Sequence, residues 1–423
     1  MADSQDNSAR QSADDPRLAA VEIVRTLAGA GFEAYFAGGC VRDKLMGIEP
    51  DDYDVATDAK PDDVRGLFRR TQHVGESFGV VLVSLQGRRI EVATFRTDGV
   101  YRDGRHPDGV TFSDAQHDAR RRDFTINGLF ENPLTDEVID YVDGQADLEA
   151  KVIRAIGDPR ARLHEDRLRM LRAVRFAARF AFTIDQQTAE AIRTAAGDLR
   201  GVSRERIAQE VKRMLADRNR GAAARQLQDL GLDAAILGEP NLTLAPTRLG
   251  RLPDSAPYAT ALAAWLLDRH EGQDSGLGDR ARGWAGQLML SNAQKQAMTA
   301  VLDIHEVLRG AWPQLGVARQ KRLASTPAFE EALAILQTID PQGFIEVRRR
   351  VLALAETQLQ PAPLIDGTDL VARGLTPGPA FKHVLDAVYD AQLEGSVQDK
   401  EAALALAQTV ARMPKPSSEE SSR

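Results

Sequence analysis

The 423-residue chain is 43% hydrophobic and 27% charged, the balance of a globular protein with room for about two to four domains. A formal net charge of −8 excludes a protein that coats nucleic acid indiscriminately, although a local basic patch is compatible with it. The one cysteine, Cys40, excludes a disulfide framework; with no apolar run of membrane-spanning length and no signal-peptide core in MADSQDNSARQSADD, a cytoplasmic protein without a membrane partner is expected.

Residues 1–15 are polar and predicted to be disordered. From Pro16 to Gly29, Leu18, Val21, Val24, Leu27 and Ala28 recur at helical spacing. EAYFAGG then predicts a strand that ends in a tight turn at Gly38-Gly39, VRDKLMG a short helix start, and Asp52-Tyr53-Asp54 the opening of a second strand. Glycines at a strand-to-helix turn let backbone N–H groups approach a phosphate, and the fork of Arg42 can pair phosphate oxygens. Side chains alternate along a strand, so Asp52 and Asp54 share one face and Tyr53 takes the other. Two convergent carboxylates suit Mg²⁺, which prefers a few carboxylates plus substrate phosphates. A glycine pair alone is usually just a turn, and a D-x-D alone a solvated strand end. Together they suggest nucleotidyl transfer.

KPDDVRGLF predicts a helix from Pro61, and VGESFGVVLVSL and RRIEVATFR predict two strands joined at Gln86-Gly87. Glu91, inside the second strand, is costly unless partnered. Two readings stay open for it: a third metal carboxylate, or an edge-strand residue facing water. Thr97 to Arg120 breaks periodicity and predicts a mobile loop with a short strand, in which His106 and His117 are surface residues rather than metal ligands. RRDFTINGLF reads on its own as a helix N-terminus capped by Asp123, with Ile126, Leu129 and Phe130 in the core.

HEDRLRMLRAVRFAARF (His164–Phe180) predicts one helix, with Met170, Leu171, Val174 and Ala178 on an apolar arc and Arg169, Arg172, Arg175 and Arg179 roughly opposite. Ala150 to Arg179 holds nine Lys or Arg against three Asp or Glu, which makes an RNA partner plausible. The bland alternative is an amphipathic surface helix with an i,i+3 Asp166–Arg169 pair. The sharper one follows from side-chain inventories: Asp166 can accept from the exocyclic amine of cytosine or adenine while Arg169 donates to the ring nitrogen. Uracil and guanine reverse that pattern, and the mismatch costs about 1–3 kcal/mol.

GVSRERIAQEVKRML predicts a bracing helix capped by Ser203, with Arg206 and Glu210 on one face. Beyond about Leu227 the pattern is helical, with joints marked by proline and glycine near Leu244–Pro257 and Pro361–Pro379, and residues 413–423 are predicted to be disordered. This half has no adjacent His-Asp pair, which argues against a metal phosphohydrolase domain.

The ordered set strand–Gly38-Gly39–Arg42–helix–Asp52-x-Asp54–strand, followed by RRDFTING and EDRLR, resembles the class II CCA-adding enzyme and poly(A) polymerase family of the DNA polymerase β-like nucleotidyltransferase superfamily. The resemblance implies an α+β fold: a mixed-sheet nucleotidyltransferase head over 16–145, then an all-α neck over 146–220 and a helical body and tail over 221–412. It implies catalytic Asp52 and Asp54 holding Mg²⁺, and Glu91 joins the catalytic set on the metal reading of its strand position. Gly38, Gly39, Arg42, Arg122, Asp123, Asp166, Arg169, Arg172 and Arg175 would bind the nucleotide. It likens Thr97–Arg120 to the loop needed for adding adenosine and DEVIDYVDGQADLEAKVIRAIGDP to the last head hairpin. Gly128 stands where relatives usually have alanine, which leaves the local packing open. The expected reaction is CCA addition to the 3′ end of tRNA from CTP and ATP. The alternatives are an A-adding tRNA nucleotidyltransferase, a poly(A) polymerase or, more remotely, an inactive RNA- or nucleotide-binding module. No protein partner is inferable.

Overall fold

The computed structural model describes residues 15–73, 79–99, 109–242, 244–272, 276–378 and 380–412. The expectations for residues 1–14 and 413–423, for His106, and for residues 100–108 of the predicted loop lie outside the described residues. The chain divides into two compact units: the first runs to Ala245 and includes Gly283–Met289, and the second comprises Pro246–Arg282 and the residues from Leu290 on.

The first unit opens with α1 (Pro16–Gly29), capped by Asp15, whose side chain accepts from the Arg17 amide at 2.8 Å. Its buried face is Ala19, Ala20, Ile23, Val24 and Leu27, whereas Leu18 faces water. There follow β1 (Ala34–Ala37), α2 (Gly39–Leu45), β2 (Val55–Thr57), α3 (Pro61–Leu67), β3 (Thr71–His73), β4 (Val80–Leu85), β5 (Arg88–Thr94), β6 (Arg96–Asp98), β7 (Val110–Phe112) and α4 (Ala115–Arg120). A 3-10 turn (Thr125–Asn127), β8 (Leu129–Asn132) and β9 (Glu137–Asp140) complete the sheet. Its strand order is β3-β4-β5-β2-β1-β8-β9, antiparallel throughout except for the parallel β2–β5 pair.

One face of this sheet packs Phe36, Val55, Val81, Val83, Ile90, Val92 and Leu129 against α1 and α3. The opposite face packs Ala37, Ala56 and Phe130, with Phe95, against Ala115 and Ala119 of α4. Two expectations change here. Arg121–Phe130 is not a helix; after one 3-10 turn it becomes β8, because Leu129 and Phe130 are worth more as a strand beside β1 than local propensity is worth to a helix. The predicted loop also contributes β6, β7 and α4, which sequence periodicity did not separate.

After β9 come α5 (Gly144–Ala150), β10 (Val152–Ile153), α6 (Pro159–Glu165), α7 (Leu168–Phe180), β11 (Thr183–Ile184), α8 (Gln186–Ala195), α9 (Arg204–Ala216), α10 (Arg220–Asp229) and α11 (Leu232–Leu237). Ser203 caps α9 as predicted, accepting from the Arg206 amide. The single helix expected over His164–Phe180 is instead two. Asp166 takes extended backbone (φ −140°, ψ 104°) and its carboxylate accepts from the Leu168 amide at 3.0 Å, so a residue that favours caps starts a new helix.

The second unit is helical: α12 (Thr247–Arg251), α13 (Tyr258–Arg269), α14 (Leu277–Gln287), α15 (Asn292–Arg309), α16 (Val317–Ala324), α17 (Pro327–Ile339), α18 (Pro341–Ala355), α19 (Gly367–Ala372), α20 (Ala380–Leu393) and α21 (Lys400–Arg412), the residues Gly283–Gln287 of α14 being counted with the first unit. Past the proline-rich joint at residue 361, Ile365, Leu370, Val384, Val388, Val397, Ala403 and Ala407 form a core of their own. A mixed-sheet head followed by helices is the α+β class expected.

Candidate active site

The parallel pairing of β2 with β5 matches Val55 to Val92, so one residue earlier Asp54 comes beside Glu91 on the same face. Tyr53 points the other way into the core, its ring 5.0 Å from that of Phe36, while Asp52, Asp54 and Glu91 are exposed. β5 lies between β4 and β2, which removes the edge-strand reading of Glu91. The Asp54 carboxyl is pushed up to about 6, first by burial among surrounding atoms, then by the charge of Glu91, with a smaller push from Asp52 and an opposing pull from Arg122. Water reaches this carboxyl, yet surrounding protein atoms lie close enough to disfavour its charge. Among the described residues no three His, Cys, Asp or Glu side chains form a ready-made metal cage.

The turn before α2 needs glycine. Gly38 has φ +73°, and a Cβ there would lie 2.7 Å from Arg122 Nη1. Its N–H donates to the Leu129 carbonyl at 2.9 Å, so that amide is already used. A Cβ on Gly39 would lie 3.6 Å from Arg42 Nη2. Arg42 itself is 5% exposed and fully engaged: Nε donates to Asp43 Oδ1 at 2.8 Å and Nη1 to Asn127 Oδ1 at 2.6 Å. Its guanidinium also lies 5.2 Å and 4.7 Å from the Phe176 and Phe180 ring centroids, so the fork expected to meet phosphate is committed to protein groups.

Arg122 donates through Nε and Nη2 to Asp118 Oδ2 (3.1 and 3.0 Å) and through Nη1 to the Asn127 carbonyl (3.2 Å), above the Phe130 ring. Asp123 caps no helix. Its Oδ1 accepts from the Phe124 amide and Asn127 Nδ2, both at 2.9 Å, and its Oδ2 from Arg172 Nε at 2.7 Å. Burial alone would raise this carboxyl, but the Arg172 charge and the hydrogen bonds from Asn127 and Arg172 outweigh it and hold it at about 2.

The Asp166–Arg169 side-chain pair does not form. Asp166 Oδ2 accepts from Arg206 Nη2 at 2.8 Å, and Arg169 Nη1 donates to Glu165 Oε2 at 2.6 Å and to the Arg162 carbonyl at 2.8 Å. Arg169 Nη2 donates to the Arg121 carbonyl at 3.2 Å. One turn on, Arg172 pairs with Asp123 and Arg175 Nε with Glu210 Oε2 at 2.6 Å. Of the nine basic residues in 150–179, Arg154, Arg162, Arg167, Arg169, Arg172 and Arg175 are in ion pairs. The basic segment is therefore largely an internal lattice. Sequence reasoning placed Arg206 and Glu210 on one bracing face but missed Asp118, Asn127, Glu165, Phe176 and Phe180. A signal existed for Glu165, in its i,i+4 spacing to Arg169; Asp118 was hidden in a segment with no legible periodicity.

Comparison with known proteins defines the class first. Residues 34–154 match the family described as Poly A polymerase head domain, and residues 181–244 that described as Probable RNA and SrmB-binding site of polymerase A. The CCA-adding enzyme of Lactobacillus helveticus is 33% identical over 383 residues, covering 88% of this chain and 92% of that protein. That of Lacticaseibacillus paracasei is 33% identical over 402 residues, covering 90% and 93%. The crystal structure of the Bacillus stearothermophilus CCA-adding enzyme in complex with CTP superposes with a TM-score of 0.76 at 28% identity, covering 94% of this chain and 98% of that one. The chain belongs to the CCA-adding enzyme family of nucleotidyltransferases. Among the described residues no helix is long and apolar enough to cross a membrane.

Proposed function

We propose that the chain is a template-independent nucleotidyltransferase that restores CCA at the 3′ end of tRNA, adding CMP and then AMP from CTP and ATP. The observation that carries this reading is the meeting of Asp54 and Glu91 on neighbouring strands, with Arg122 acting on the same carboxyl, in a chain similar to CCA-adding enzymes over most of its length. The donor set fits Mg²⁺: Asp54 feels the negative charge of Glu91 and Asp52, only partly offset by Arg122, and Mg²⁺ is satisfied by one or two carboxylates completed by substrate phosphates. Asp52 and Asp54 would hold the ion, with Glu91 as third carboxylate. Bound there, it supplies Lewis-acid stabilisation of phosphoryl charge and lowers the pKa of the attacking hydroxyl.

The protein's own groups do the rest. Gly38 and Gly39 keep the turn free of side chains so that the triphosphate can approach, and Arg42 adds positive charge beneath it. Arg122 faces the phosphates. Asp123 Oδ2, with one donor already, has room for the 2′-OH that only a ribonucleotide carries. Asp166, steadied by Arg206, offers Oδ2 to the exocyclic amine. Arg169, steadied by Glu165, still has Nε and the second Nη2 hydrogen for the ring nitrogen. Arg172 and Arg175 complete the nucleotide side of α7. The reading assigns catalysis to the head over 16–145, nucleotide recognition to the neck over 146–220 and tRNA binding to the helical remainder over 221–412, in the cytoplasm.

The test is incorporation of each labelled NTP into tRNA lacking CCA, tRNA ending in CC, and an unrelated RNA, with Mg²⁺ and with chelator. CMP and AMP on the first and AMP on the second, abolished by chelator, is expected. AMP alone on the second substrate would indicate an A-adding enzyme, and long AMP tails on any RNA a poly(A) polymerase; no incorporation would leave a binding module.

A further inference from the structure

We infer that Asp118 is a positioning residue for nucleotide binding, acting by fixing the guanidinium of Arg122 over the glycine turn beside Asp54. The inference deepens the function proposed above and rests on it. Asp118 lies in the middle of α4, is 1% exposed, and is held in place by its neighbours Ala115 and Ala119, which pack on Phe95 and Phe130. Its two oxygens are divided. Oδ2 takes both Nε and Nη2 of Arg122, at 3.1 and 3.0 Å. Oδ1 takes Arg121 Nε at 2.8 Å and the amide of Arg96, the first residue of β6, at 3.4 Å.

This two-point grip leaves Arg122 little rotational freedom. Its remaining nitrogen, Nη1, is steered toward the Asn127 carbonyl at 3.2 Å and to where a Cβ on Gly38 would be only 2.7 Å away. Charge-assisted contacts from two nitrogens of one guanidinium, here converging on one carboxylate oxygen, fix direction as well as energy. In the function proposed above, Arg122 and the glycine turn receive the phosphates together, and the arginine's two contacts at 3.1 and 3.0 Å come from outside that turn. A buried acid on an element outside the recognised motifs does so. The same carboxylate ties the start of β6 to α4, so the segment that carries β6 and β7 and the arginine share one anchor.

Steady-state kinetics of D118N, R122Q and D118N/R122Q, with CTP and with ATP, test this. Loss of a charge-assisted pair predicts a KM for both nucleotides raised about tenfold in D118N, with kcat within about threefold. In the R122Q background, D118N should add nothing, because its effect passes through Arg122. An unchanged KM in D118N, or losses that multiply in the double variant, would overturn the assignment. If D118N fails to fold with two guanidiniums facing an amide, D118N/R121Q removes one of them and should show the same rise in KM, while R121Q alone keeps the wild-type value. If neither folds, Asp118 belongs to the fold and the inference fails. Wild-type protein that incorporates neither nucleotide refutes the proposed function itself, a result distinct from an active wild type matched by D118N.

Discussion

Asp54 shows how one side chain can serve a site at the expense of the fold. Its folded-state pKa of about 6 lies above the ordinary 3.8, so it supports the fold while protonated, and that support fades as the pH rises through about 6. D54N should therefore raise the unfolding free energy at pH 7 and above, by no more than about 1 kcal/mol because solvent reaches the group, and should leave it unchanged at about pH 3. The same variant should lose at least about 10²-fold in nucleotide incorporation. Gain of stability with loss of turnover is the pattern of a residue retained for chemistry. Asp123 has the opposite sign. Held at about 2, it contributes stability above pH 4 that is lost as the pH falls toward 2. Both acids stood out in the sequence as candidates, through the D-x-D and RRDFTING stretches. What was not legible was their partners, because Arg172 lies 49 residues beyond Asp123 and no local pattern reports a pairing that only the folded chain makes.

Among elements, β8 and the turn before it illustrate a constraint that a single glycine satisfies. A Cβ on Gly128 would stand 2.6 Å from Val142 Cγ2 and 3.3 Å from Ile156 Cδ1, so the space an alanine would occupy is filled by a valine. G128A should destabilise the protein by about 1–3 kcal/mol in urea unfolding, and G128A/V142A should recover most of the loss. The neighbouring Gly144 is less forgiving, since its Cβ would meet the Thr125 carbonyl oxygen at 2.3 Å and backbone cannot step aside. Most elements of the head were readable in order because alternation and helical spacing are local. α1, α3 and β5 begin where proline or the Gln86-Gly87 turn put them, and β4 falls within its expected stretch. The failures have physical causes. β3 is three residues long, the RRDFTING segment is decided by its neighbour β1, and the break at Asp166 depends on a cap that outweighs two flanking helical patterns.

For the whole molecule, charge is arranged to be used sparingly. Six of the nine basic residues in 150–179 are neutralised by carboxylates, and among the described residues Lys151, Arg160 and Arg179 have no such partner. If these three meet RNA phosphates, K151Q/R160Q/R179Q should flatten the plot of log affinity for tRNA against log salt by about 2 to 3, at about 0.7–0.9 per phosphate contact. Replacing a paired arginine such as Arg167 should leave that slope unchanged. A chain of net charge −8 can then hold RNA by shape and a few contacts without attracting nucleic acid at large.

The one thiol offers a clock. Cys40 is 4% exposed, points at the Ala37 carbonyl, and is pushed up to about 11 chiefly by burial. Ellman's reagent at pH 8 should find it almost inert in the native protein and immediately reactive in denaturant. Because that sulfur sits against the backbone of both Ala37 and Asp54, any slow native reaction counts the moments when the glycine turn parts from the acid strand. Saturating CTP should lengthen the interval, so an unaltered chain reports how rigid the corner between its glycine turn and acid strand is.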